Sequence, residues 1–477
     1  MRLLLVIIEG QLYLAGIVAI FVAELAFLLW GLWSRRPIVG LIAVFVTLPL
    51  IRTTVSAIRA CFFRIRAPEG LPLARSEGGP LHELVEEIRR AIDAPPVDGI
   101  TITGEFGARA AIDTPAWRLR RRRTLVLGFP VLTTLSLSEL RAVIAHELAH
   151  FSGAYDGFAA WVYRTRAGWL ALRTTLDQRR ATPVYVYWLL GWYVPRLNAA
   201  AAPVSRRHEL VADRLAAKVA GSRAAADALV VFESGARFAD DTHWPAIQIS
   251  HETAAEPPRP YSEMLTWNAR QTSTDLLESL VGNDTEPGDT HPSFRERLER
   301  FGEPVRIPPP IASSAGHELL GPELETLARR LDEGWIARHG DSWRRHRAEY
   351  LERTTTLDRL AAIEMPTPDE LFERAELVET LQGSDHALPI YQSASEQGHA
   401  AASLSAGRLL LDRMDAAGIA LVEGAMDRDE RLVPEACRIL AVYYTETNQE
   451  LAARKCEWRA KRHTTRAHLA KQTPSPS

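Results

Sequence analysis

The chain has 477 residues, with Lys plus Arg 56 against Asp plus Glu 59 and a formal net charge of −3. That length predicts more than one domain, and the near-neutral balance excludes a chain-wide electrostatic surface for nucleic acid. Cys61, Cys437 and Cys456 are too few and too scattered for a disulfide framework, and none forms a Cys-x-x-Cys pair, so a reducing compartment is expected.

The first predicted element is a membrane span. Residues 12–33 are apolar almost throughout, broken only by Glu24, and as a helix they are long enough to cross the roughly 30 Å hydrocarbon layer. After Ser34-Arg35-Arg36-Pro37 a second apolar segment covers 38–51 and continues amphipathically to Phe63, with Arg52 snorkelling or facing protein. Residues 1–66 are therefore expected to form a transmembrane hairpin. A cleaved signal peptide is the competing account, but Glu9 and Gln11 interrupt the first run and the apolar stretch then outlasts a signal core. With both arms crossing, the residues beyond 66 share a side with the N-terminus. Arg2, Arg59, Arg64 and Arg66 against Arg35 and Arg36 place that side in the cytoplasm, under the cell's inner or plasma membrane.

Residues 67–79, rich in Pro and Gly, read as a linker into a domain expected to extend to residue 300. Leu81, Leu84, Val85 and Ile88 give 80–92 a helical stripe, ended by Pro95-Pro96. Two strand-like runs follow, 99–103 and 123–127. The connection between them carries the basic run Arg118 and Arg120 to Arg123, read as a solvated or membrane-facing loop rather than a nucleic-acid patch. Either an edge of this small sheet holds an extended peptide by strand addition, or the strands are purely structural.

In the next segment Ser136 and Glu139 have the spacing of a capping box, Leu140, Val143, Ile144 and Leu148 form an apolar stripe, and Gly153 stands at a helix stop. This helix carries Ala145-His146-Glu147-Leu148-Ala149-His150. Residues four apart share a helical face, so His146 and His150 can meet one zinc ion while Glu147 handles a water molecule. Residues 158–172 look amphipathic. The aromatic run 184–194, ended by Pro195, suits either a membrane interface or a buried helix.

A second helix is expected over 205–217, closed by Gly221. A catalytic zinc site needs three protein ligands and one open position, and Glu209 is the natural third. Asp213, one turn on, is placed to accept the other ring proton of a ligating histidine. His208 points about 100° away from Glu209 around the helix and ranks below it.

In this order the segments resemble the HtpX-like and CAAX prenyl-protease-like membrane zinc metallopeptidases, which are gluzincins. The resemblance rests on the N-terminal hydrophobic hairpin, Leu125-Val126-Leu127-Gly128-Phe129-Pro130, the helix from Glu139 to His150, Ser205-Arg206-Arg207-His208-Glu209-Leu210-Val211-Ala212-Asp213, and Thr290-His291-Pro292-Ser293-Phe294-Arg295-Glu296-Arg297-Leu298. It covers roughly residues 1–300, and the combination is more specific than any one motif. It implies one zinc ion per chain held by His146, His150 and Glu209, with Glu147 as general base. It further implies Asp213 behind the ligands, His291 stabilising the oxyanion or capping the site, and Arg297 pairing near Asp213. Where that family commonly carries Asn-Ala ahead of the motif, Glu105-Phe106-Gly107-Ala108 has a glycine.

Pro304 and Pro308-Pro309-Pro310 read as a semi-rigid linker opening a charged helical region, 301–383. From 384 to 470, alanines at 387, 420 and 453 lie 33 residues apart. The period resembles tetratricopeptide or Sel1-like repeats and offers a concave surface for a protein partner or substrate tail, the alternative being an irregular helical domain. The tail 471–477 is expected to be disordered. The expected fold is thus mainly α with a small β-sheet: a transmembrane hairpin, a gluzincin domain and a helical-repeat domain. The expected activity is zinc-dependent endopeptidase action on protein or peptide substrates at a membrane. The competing reading is a repeat scaffold with a structural or latent zinc site.

Overall fold

The N-terminal apolar run forms one helix, α1, Arg2–Trp33, whose Leu3–Trp33 portion holds an 18-residue window with a mean hydropathy of 2.4, long and apolar enough to cross a membrane. The computed structural model describes residues 2–33, 70–113, 122–152, 184–267, 272–282 and 291–472, with a few single residues and short pieces between. Most of the second arm of the expected hairpin, Cys61, most of 158–172, Arg118, Arg120, Arg121 and the last five residues lie outside the described residues.

Within the described residues the fold is mainly helical with one small sheet. Two compact units partition the chain: Met1–Ser250 with Pro257–Gly340, and His251–Glu256 with Asp341–Ser477.

In the first unit, four strands, β1 Leu71–Leu73, β2 Gly99–Thr103, β3 Ala108–Asp113 and β4 Arg122–Gly128, form a sheet in the order β1-β2-β4-β3. β2 and β4 run parallel, with Ile100 opposite Leu125 and Ile102 opposite Leu127. β3 lies antiparallel along β4 at the edge, with Ala110 opposite Leu125. Ile100, Ile102, Leu125 and Leu127 are buried in one core with Leu81, Leu84, Val85 and Ile88 of α2, Gly79–Ala91. Each such side chain contributes about 1.5–3 kcal/mol on full burial. Two strands stand where the sequence suggests connections. β1 is three residues long with a proline at its centre, and β3 reads Ala-Arg-Ala-Ala-Ile-Asp, so neither shows the alternation of a half-buried strand.

After α3, Phe129–Thr134, come α4, Leu137–Ala149, α5, Val184–Ala220, and α6, Ser222–Phe238. α5 corrects the reading of Pro195 as a stop, because Pro195 and Pro203 lie inside a single 37-residue helix. An internal proline removes one helical hydrogen bond and kinks the axis; tertiary packing offsets that loss. Leu190, Tyr193, Val194, Leu197 and Ala201 of α5 bury against Val6 and Ile7 of α1. The Tyr193 hydroxyl donates to the Val6 carbonyl at 3.0 Å, and a Cβ at Gly10 would overlap that hydroxyl. Tyr13 meets the rings of Trp192 and Tyr193 edge-on at 6.0 and 5.7 Å. One helix therefore links the aromatic segment beside α1 to the Glu209 and Asp213 positions. Shorter helices follow: α7 Thr274–Gly282, α8 Phe294–Phe301 and α9 Ala315–Leu320, before the long α10, Pro322–Ala361.

The second unit is a succession of helices: α11 Pro368–Gln382, α12 Ser384–Glu396, α13 Ala400–Leu411, α14 Ala417–Arg428, α15 Val433–Glu446 and α16 Glu450–Gln472. α12, α14 and α16 start at 384, 417 and 450, and α13 and α15 at 400 and 433, in each case 33 residues apart. Of the three periodic alanines, Ala387 and Ala453 are buried and Ala420 is exposed. Tyr391, Ala394, Ala402 and Ala406 pack in one cluster, and Val422, Ala425, Ala436, Leu440 and Tyr443 in a second.

Candidate metal centre

α4 is fixed at its start. Ser136 Oγ accepts from Glu139 N–H, and Glu139 Oε2 accepts from Ser136 N–H at 2.7 Å, the reciprocal cap its sequence announces. The same buried carboxylate takes two hydrogen bonds from Arg270, at 2.7 and 3.0 Å. Leu140, Ile144 and Leu148 bury one face of the helix. His146 and His150 then lie a turn apart with ring centroids 5.2 Å apart and planes at 81°. The helix ends at Ala149, so His150 is its C-cap residue.

α5 packs beside α4 and brings two carboxylates to these rings. Glu209 Oε2 is 3.3 Å from His146 Nε2, and Glu209 Oε1 is 3.8 Å from His150 Nε2. Asp213 Oδ1 meets the opposite ring nitrogen, His146 Nδ1, at 3.0 Å. Behind it Arg297 of α8 donates to both Asp213 oxygens at 2.9 and 2.7 Å. His291 Nδ1 lies 3.2 Å from Glu209 Oε2 with a side chain 67 % exposed, at the rim. His208 is buried, and its charge is one of the influences lowering His150.

Glu147 lies apart from this row of contacts. Its Oε2 accepts the Ala110 N–H at 3.0 Å. Antiparallel backbone groups alternate between the partner strand and the open side, so this bond turns the free edge of β3 towards the histidines. His146, Glu147 and His150 each offer an atom within 4.8 Å of the others. Either Glu147 or Glu209 is near enough to complete a metal site. Glu209 contacts both rings, and the Glu147 carboxylate also accepts from β3.

The charges follow from burial and pairing. Burial disfavours a cationic His146, but the Asp213 and Glu209 carboxylates outweigh it and take its pKa up to about 10. Burial and the neighbouring His146 charge lower His150 to about 4. Burial raises Glu147 to about 7, with the Glu209 charge adding to it. For Glu209, burial is overcome by hydrogen bonds from His146 and His291, which hold the carboxyl well below its usual range. For Asp213, burial is overcome by Arg297, which brings the carboxyl down to about 2.

The donor set fits zinc. Glu209 reaches one ring through Oε2 at 3.3 Å and the other through Oε1 at 3.8 Å, so its carboxylate lies against both imidazoles. Two imidazoles and one carboxylate also match the three-ligand sets that leave a position open for chemistry. A cavity of about 610 Å³ adjoins the group, lined by Ala108 of β3, Val143 of α4, and Leu229, Phe232, Glu233 and Arg237 of α6.

Four residues at or behind the site have no sequence motif. Ala110 acts through its backbone, Arg270 reaches Glu139 from 131 residues away, and Glu233 with Arg237 shows only an i, i+4 spacing that any solvated helix carries. A search among curated proteins finds no match. Residues 116–305 match peptidase family M48, so the part of the chain that carries His146, His150, Glu209 and Arg297 is similar to the metallopeptidases of that family.

Proposed function

We propose that the chain is a zinc-dependent endopeptidase of the HtpX-like kind, held in a membrane by α1 and cutting peptide bonds of protein substrates. The observation that carries this reading is the meeting of His146, His150 and Glu209 from two helices, with Glu147 left over and turned to a sheet edge. His146, His150 and Glu209 would hold one zinc ion. When bound, zinc polarises the scissile carbonyl and lowers the pKa of a water molecule from near 16 to roughly 7.

The protein's own groups do the rest. Glu147 takes the proton of the attacking water on its carboxylate and passes it to the leaving amine. Asp213 fixes the His146 tautomer by accepting from Nδ1, and Arg297 holds Asp213 in place. His291, at the rim, stabilises the oxyanion or caps the site. The substrate lies extended along β3 as an added strand, with its main chain on the open edge and a side chain in the adjoining cavity.

The site faces the cytoplasm, as the arginine distribution around the N-terminal apolar segments favours. The 33-residue spacing of helix starts supports tetratricopeptide or Sel1-like repeats that select substrates or bind a protein partner. The test is hydrolysis of an unfolded protein by the detergent-solubilised chain. A strong chelator should abolish cleavage and added zinc restore it; cleavage indifferent to chelation would overturn the proposal.

A further inference from the structure

The last helix of the second unit carries a surface that neither the metal site nor the repeat reading uses. Ala453 is buried, and Cys456 and Ala460 of α16 pack against the cluster around Leu440 and Tyr443 of α15. The opposite face is unlike an ordinary solvated one. Leu451, Lys455, Trp458 and Arg462 follow at intervals of four, three and four residues, which places them in one stripe along the helix. Leu451 is 79 % exposed and Trp458 61 % exposed. The Arg462 guanidinium lies over the Trp458 ring, 5.0 Å from its centroid. Arg454 and Lys461 flank the stripe on one side and Arg459 on the other, all exposed. Between 450 and 463 the only acidic residues are Glu450, which pairs with Arg454 at 3.9 Å, and Glu457 at the margin.

We infer that this face of α16 docks on an anionic lipid surface. Five cations in little more than three turns are complementary to anionic headgroups, and each Lys or Arg near such a surface strengthens attachment roughly five-fold. Tryptophan belongs at the headgroup level with its polar edge wet, and the bared leucine gains by entering the acyl boundary. A nucleic acid would satisfy the cations and stack on Trp458, yet it offers nothing to Leu451. A bilayer satisfies all three, and α1 supplies a reason for one to be near.

The test uses the full chain in nanodiscs of phosphatidylcholine carrying brominated acyl chains, with or without about one-third phosphatidylglycerol. Incorporation itself reports on α1; a chain that does not incorporate is mixed with vesicles of the same lipids. The chain has 12 tryptophans, so the Trp458 signal is the difference between the native chain and Trp458→Phe. Bromine should quench that signal in the anionic discs and leave it intact in the neutral ones. The triple variant Lys455→Glu, Arg459→Glu, Arg462→Glu, which keeps Trp458, should lose the quenching, as should high salt. Equal quenching in both lipids, quenching in neither, or a Trp458 response only to an added oligonucleotide would overturn the assignment.

Discussion

Asp213 is the residue through which the metal site is tied to the rest of the unit, accepting from His146 on one side and from Arg297 on the other. Asp213→Asn keeps the shape but loses the charge that both partners face. Zinc affinity, read by competition with a chromophoric chelator, should fall about 10–100-fold; unchanged affinity would show that the His146 ring is held by something else. Arg270 performs a comparable service for Glu139. Arg270→Met leaves that buried carboxylate without its partner, and denaturant unfolding should show a loss of about 3–5 kcal/mol. The contrast between these residues explains what the sequence made legible. His146, Glu147 and His150 are legible because one helix turn brings them together, and Glu209 and Asp213 because they repeat that spacing on a second helix. Arg270 was hidden because its partner is distant in the chain and a lone arginine in a loop carries no periodic mark.

At the scale of elements, β3 and α5 were the least legible. β3 is found only through its pairing with β4, since Ala108 to Asp113 shows no apolar alternation. Its importance is that the Ala110 N–H points to Glu147 rather than into the sheet. Proline is tolerated at an edge position whose N–H faces away from the ladder, so Ala110→Pro should fold and keep zinc. It should also lose hydrolysis by about 100-fold, because a misplaced base costs that much. Activity within a few-fold of native would show that the Ala110 N–H does not position Glu147. α5 runs on through Pro195 because burial of its aromatic face against α1 outweighs the local cost of the proline. Its contact with α1 is tight at Gly10, so Gly10→Val should push Tyr193 away and break its bond to Val6. Thermal unfolding in detergent should then begin at a lower temperature, and an unchanged transition would contradict the packing described for these two helices.

For the whole molecule, the division into two compact units means that the metal site and the helical succession have separate cores. The expected class, mainly α with a small sheet, follows from the periodicities, because helical stripes dominate the chain and β-alternation is brief. A chain ending at residue 366 should still bind zinc and cut an unfolded protein, while losing discrimination among folded substrates, as competition between substrates would show. Zinc held by His146, His150 and Glu209 is expected to work with Glu147 in hydrolysing peptide bonds. The most direct measurement pairs metal content with proteolysis for the native chain and Glu147→Gln in the same detergent. Equal zinc, about one per chain, with cleavage only by the native protein is the predicted result; equal zinc with no cleavage by either, or cleavage by both, would contradict it.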